Sequence, residues 1–143
     1  MKRIFVIDWI LIVVFIVSAV SVFGLHIAGH WNSHEVWHNW AVFHIWGSVL
    51  FLIAIISHVT THWVWYKGII KNGIGRKSKV TAALSIIFLL LSVTGILLLG
   101  INGPNSPLGL WHYRIGIIII FISIGHIIKR LPVFRKSLND KKQ

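Results

Sequence analysis

The chain has 143 residues, 56% hydrophobic and only 12% charged, with a mean hydropathy of +0.81, which excludes an ordinary soluble domain and leaves an integral membrane protein. Its 14 lysines and arginines against three acids (Asp8, Glu35 and Asp140) give a formal charge of +11, but the bases flank apolar stretches, so the excess reads as membrane topology and not as nucleic-acid binding. No cysteine is present, which excludes disulfides, thiolate-held iron–sulfur clusters and covalent c-type haem attachment.

Four apolar stretches reach the roughly 20 residues that a hydrocarbon core demands. They cover residues 4–27, 41–65, 80–101 and 110–131, so the expected fold is an all-α, integral membrane four-helix bundle forming a single domain over 1–143. The first stretch follows Lys2-Arg3 as a signal peptide would, but its apolar run is too long and no small-x-small cleavage site follows, so it reads as a retained helix. Residues 28–40, rich in His and Trp, form the expected first outer loop. There His26, His30, His34 and His38 recur every four residues, but Gly29, Asn32 and Ser33 interrupt any continuous helix, so an outer-loop cluster is expected. The second outer loop, 102–109, is a Gly/Pro/Asn turn. Trp9, Trp31, Trp37, Trp63, Trp65 and Trp111 fall near the expected interfaces as an aromatic belt.

Orientation follows from the bases. Lys2 and Arg3, then Lys67, Lys71, Arg76, Lys77 and Lys79, then Lys129, Arg130, Arg135, Lys136, Lys141 and Lys142 all lie on one side, leaving Arg114 alone near the other. The positive-inside rule places that side, and both termini, in the cytoplasm. The halves echo one another. Ser21-Val22-x-Gly24 matches Ser92-Val93-x-Gly95, and Gly29 matches Gly100, at an offset of 71, while two histidine pairs repeat at an offset of 68. Two two-helix hairpins entering the membrane in the same sense would make a parallel repeat.

Those pairs are His44 with His58 and His112 with His126, each 14 residues apart. On a helix, that separation turns about 40° short of four full turns and rises about 21 Å, so both members lie on one face near opposite ends of a span. Random placement of nine histidines yields about 0.5 pairs at a chosen spacing, so spacing is suggestive and location decides. The second and fourth spans both run inward, so His44 and His112 share an outer depth and His58 and His126 an inner one. Ionisable side chains within a bilayer are costly and mark function, and no acid in mid-membrane is expected to partner these four. Imidazole suits iron, and two axial histidines suit a low-spin haem that shuttles electrons, so two b-type haems are expected, one above the other. His62 lies one turn beyond His58 on the same face; it could replace His58 as ligand, serve a propionate, or line an inner quinone site. Small residues commonly allow close helix packing, but beside the histidine array Gly47 and Gly116 are expected to leave room for a flat macrocycle and so to belong to the cofactor site. Arg114 could neutralise an outer propionate or meet a lipid headgroup.

These residues carry a resemblance. His44-x13-His58 and His112-x13-His126 resemble the di-haem ligand pattern of the cytochrome b superfamily. More narrowly, the run from His38 to His44, followed by His58-Val59-Thr60-Thr61-His62-Trp63-Val64-Trp65, is similar to the flavinylation-associated cytochrome family of small bacterial membrane proteins. The second half keeps Thr94-Gly95, Trp111-His112 and His126 but has Arg130 where a second inner histidine would stand. The resemblance implies electron delivery from the membrane pool to extracytosolic flavin-bearing or other redox partners, in a bacterial or archaeal cytoplasmic membrane. No flavin-attachment sequence occurs, so a flavin would belong to the partner.

The expectation is therefore an electron-carrying membrane subunit of a larger oxidoreductase, exchanging electrons between a quinone pool and a flavin- or iron–sulfur-bearing subunit. The rival from another class is a proton or divalent-metal transporter using intramembrane histidines; transporters of cations usually place acids at mid-membrane.

Overall fold

The computed structural model describes residues 3–30, 33–75, 79–101 and 106–139, with side chains through 136. Trp31, the bases Lys2, Arg76, Lys77, Lys141 and Lys142, and residues 102–105 of the second outer turn lie outside the described residues. Among the described residues every regular element is helical: α1 (Arg3–Ala28), α2 (His34–Thr61), α3 (Trp63–Asn72), α4 (Lys79–Leu98) and α5 (Pro107–Asn139).

Four of the five are long and apolar enough to cross a membrane: α1 with 26 residues, α2 with 28, α4 with 20, and α5 over the 30 residues Pro107–Lys136. They carry large apolar side chains toward the outside, Val13 at 57% and Phe121 at 70% exposed among them, which suits acyl chains and not water. Chain length, composition and this outward-facing apolar surface make it a multi-pass membrane protein. Hydroxyls inside the spans turn back onto their own helix: Ser57 donates to the Ile53 carbonyl, Ser85 to Thr81 and Ser92 to Phe88, each at 2.9 Å. That local bond satisfies a polar group where no water is at hand.

The chain divides into two compact units, Met1–Tyr66 and Lys67–Gln143. In the first, α1 packs along α2, with Phe15 and Phe51 in tilted ring contact at 5.9 Å. Small residues let the two backbones approach. Gly47 is buried, with Val17 and Ser18 of α1 beside the place a Cβ would take, and Gly24 is buried beneath the Trp40 indole. In the second unit α4 packs along α5, where Gly116 meets Leu91. Ile119, Ile120 and Phe134 are the buried apolar side chains of α5.

Three boundaries differ from the sequence reading, each for a local reason. The first outer loop is shorter than 28–40, because Ser33 caps α2: its hydroxyl accepts from the Val36 amide at 3.4 Å, and Glu35 sits in the positively polarised first turn. His34 and His38 are thus helical and stack at 6.4 Å, while His26 and His30 meet at 5.0 Å at the end of α1. In place of one loop cluster there are two pairs, one within α2 and one between the last turn of α1 and the turn that follows it. The second span is not one helix to Trp65: it ends at Thr61, with His62 as its cap, its amide shared among the carbonyls of His58, Val59 and Thr60, before α3 begins. Last, α5 continues eight residues past 131 to Asn139, through Pro132.

Candidate functional site

His44 and His112 each meet a hydroxyl from the preceding helix of their own hairpin. His44 on α2 places Nδ1 2.8 Å from the Ser21 Oγ on α1. Ser21, fully buried, spends its single hydroxyl proton on the Ser18 carbonyl at 2.6 Å, so its oxygen can only accept from the ring. His44 therefore carries its proton on Nδ1 and a lone pair on Nε2. In the second hairpin His112 on α5 places Nδ1 2.9 Å from the Thr94 Oγ1 on α4. The Thr94 proton is directed to the Leu90 and Leu91 carbonyls at 2.9 and 3.0 Å, so the same tautomer follows. The sequence echo aligned Ser21 with Ser92, but the hydroxyl that meets the imidazole is Thr94, two residues further on. The adjacent Gly95 makes this possible: a Cβ there would stand 3.0 Å from the His112 Cε1.

The second histidine of the first pair, His58, has a different partner. His58 Nδ1 lies 2.7 Å from the Asp8 Oδ1 on α1, with Asp8 only 12% exposed. A carboxylate accepts and does not donate, so His58 carries a proton on Nδ1, held by a charge-assisted bond. This corrects the expectation that no acid meets the histidine array. Asp8 belongs to α1 within a candidate span, and it was the only acid inside the first apolar stretch, which was the signal for it. His62 places Nε2 3.9 Å from the same oxygen, beyond hydrogen-bond distance, and its ring lies 4.6 Å from that of His58. Asp8, His58 and His62 thus form one cluster whose donor atoms lie within 4.8 Å of one another.

His126 is half-buried on α5, and the neighbouring Gly125 has open space where a Cβ would project. The second hairpin has no counterpart of Asp8: the offset of 71 lands on Lys79. Arg114 is exposed, with its guanidinium 5.7 Å from the Trp111 ring centre in a cation–π arrangement. Of the expected site residues, His44, His58 and His62 fall in the first unit and Arg114, His112 and His126 in the second. Gly47 and Gly116 are in helix-to-helix contact within their own hairpins, the packing reason for a small residue.

Comparison of the chain with protein-family models, with curated proteins and with solved structures finds no match.

Proposed function

We propose that the chain is a b-type di-haem membrane cytochrome that carries electrons across the membrane, between a quinone pool and a redox partner subunit bearing flavin or an iron–sulfur centre. One observation carries the reading. His44, His58 and His112 each tie Nδ1 to a polar side chain of the neighbouring helix, so Nε2 is the nitrogen each would offer to a metal. Metal-ligating histidines characteristically show this arrangement, since the second bond fixes the tautomer and the ring and raises ligand basicity. The donor set fits haem: neutral imidazoles, no thiolate, and spans apolar enough to exclude water.

In this reading His44 and His112 hold an outer haem and His58 and His126 an inner one, as their order along the second and fourth spans suggests. Bound haem would supply a reversible one-electron couple with both axial positions filled, which disfavours oxygen binding. The chain's own side chains set ring orientation through Ser21, Thr94 and Asp8, and Arg114 neutralises an outer propionate. His62, whose Nε2 is turned toward Asp8, is the weaker candidate for the inner ligand. Both termini face the cytoplasm, and the two hairpins form a parallel repeat, supported by the shared hydroxyl-to-imidazole bond.

A second reading, a proton or divalent-metal transporter, draws on the Asp8, His58 and His62 cluster. Two ligands on a tetrahedral zinc, at about 2.0–2.1 Å from the metal, stand roughly 3.3 Å apart. The 2.7 Å between Asp8 and His58 is shorter and is a hydrogen bond. A visible spectrum and a pyridine haemochrome assay on the purified protein decide between the two. Two b haems per chain support the cytochrome; a colourless protein that retains zinc or another divalent ion supports transport.

A further inference from the structure

We infer that Asp8 is a positioning residue that separates the two haem potentials, holding the inner site lower than the outer. The inference rests on the cytochrome reading and concerns the partners of the ligand imidazoles. At the outer depth Nδ1 of each ligand meets a neutral hydroxyl, that of Ser21 for His44 and of Thr94 for His112. At the inner depth His58 donates to a carboxylate at 2.7 Å, and that carboxylate is 12% exposed, where little water screens it. A carboxylate draws the Nδ1 proton toward itself more than a hydroxyl does, giving the ring imidazolate character and making Nε2 a stronger electron donor. Stronger donation favours ferric over ferrous iron, and the negative charge of Asp8 acts in the same direction. Both effects lower the midpoint potential of the haem on His58 and leave the haem between His44 and His112 without an equivalent.

The arrangement differs from general acidity of the region. The only other acids are Glu35, in the first turn of α2, and Asp140, near the end of the chain. His62 lies 3.9 Å from the Asp8 oxygen and makes no hydrogen bond to it, so it does not displace His58 from the carboxylate.

The test is a spectroscopic redox titration of the purified di-haem protein, wild type against Asp8→Asn and Asp8→Glu. Asparagine should raise one of the two midpoints by about tenfold in the one-electron equilibrium constant, about 59 mV, and leave the other in place. Glutamate should restore most of the difference. Repeating the titration in the His44→Ala background, where the outer couple is lost, should show the moving midpoint to be the one that remains. Two bound haems with neither midpoint moved, or with both moved equally, would overturn the role of Asp8 and leave the cytochrome reading intact. A wild-type chain without haem would overturn both. Where Asp8→Asn fails to retain its inner haem, electron paramagnetic resonance of the wild-type ferric protein serves: two low-spin signals of different ligand-field strength support the inference, and superimposed signals overturn it.

Discussion

A histidine's chemistry is decided at its second nitrogen, and in this chain that nitrogen is occupied by design of the neighbouring helix. Removing the hydroxyls should therefore loosen the outer site without deleting a ligand. Ser21→Ala and Thr94→Ala are each expected to weaken retention of one haem by about 10–100-fold, read as the rate at which haem passes to an excess of acceptor apoprotein. Deleting ligands should be blunter. His44→Ala and His112→Ala are expected to remove the same haem, and His58→Ala and His126→Ala the other, each halving the haemochrome yield. If His62→Ala removed the inner haem while His58→Ala did not, the ligand assignment would be wrong. The histidines were legible in the sequence because spacing and membrane depth are linear properties of a helix. Asp8 was not, because its role arises from the packing of α1 on α2, which brings it to a histidine 50 positions away along the chain.

At the scale of the element, the same contrast holds. Spans α1, α2, α4 and α5 follow from hydropathy summed over a bilayer's thickness, which tolerates single polar residues. Their ends do not follow from it: α2 begins at His34 because the Ser33 hydroxyl reaches the Val36 amide, and a reading that treated Asn32-Ser33 as a break passed over a cap. The helix–helix seam makes its own prediction. Gly24 lies under Trp40 with no space for a methyl group, so Gly24→Ala should destabilise the first hairpin by about 1–3 kcal/mol, measured by thermal unfolding in detergent. Gly125, which has open space at the corresponding atom, is the control, and Gly125→Ala should leave the midpoint unchanged. Equal losses from the two substitutions would show that the Trp40 contact does not set the requirement.

For the molecule as a whole, charge and length point in one direction. At 1.5 Å per residue α5 extends about 50 Å, well beyond a hydrocarbon core of about 30 Å. The excess lies at the end that carries Lys129, Arg130, Arg135 and Lys136, all exposed. With that end in the cytoplasm, labels at both termini should react only from the cytoplasmic side of sealed vesicles. Two irons placed about 21 Å apart along the normal by helical rise would span most of the core. An imposed membrane potential should then shift the oxidation balance between the two haems, followed by their absorbance. An outward terminus, or a balance indifferent to the potential, would count against the arrangement.

The bonds that set the imidazoles also bear on assembly. Ser21 with His44 and Asp8 with His58 both close between α1 and α2, and Thr94 with His112 closes between α4 and α5. Each of these three bonds therefore sets its nitrogen from within one hairpin as that hairpin inserts. The rotational entropy of those rings is already lost before a second hairpin arrives, and on the cytochrome reading what remains is the intramolecular docking of two half-sites around haem. Co-expression of residues 1–72 and 73–143 as separate chains should yield a membrane complex that binds haem, while neither fragment expressed alone should retain it.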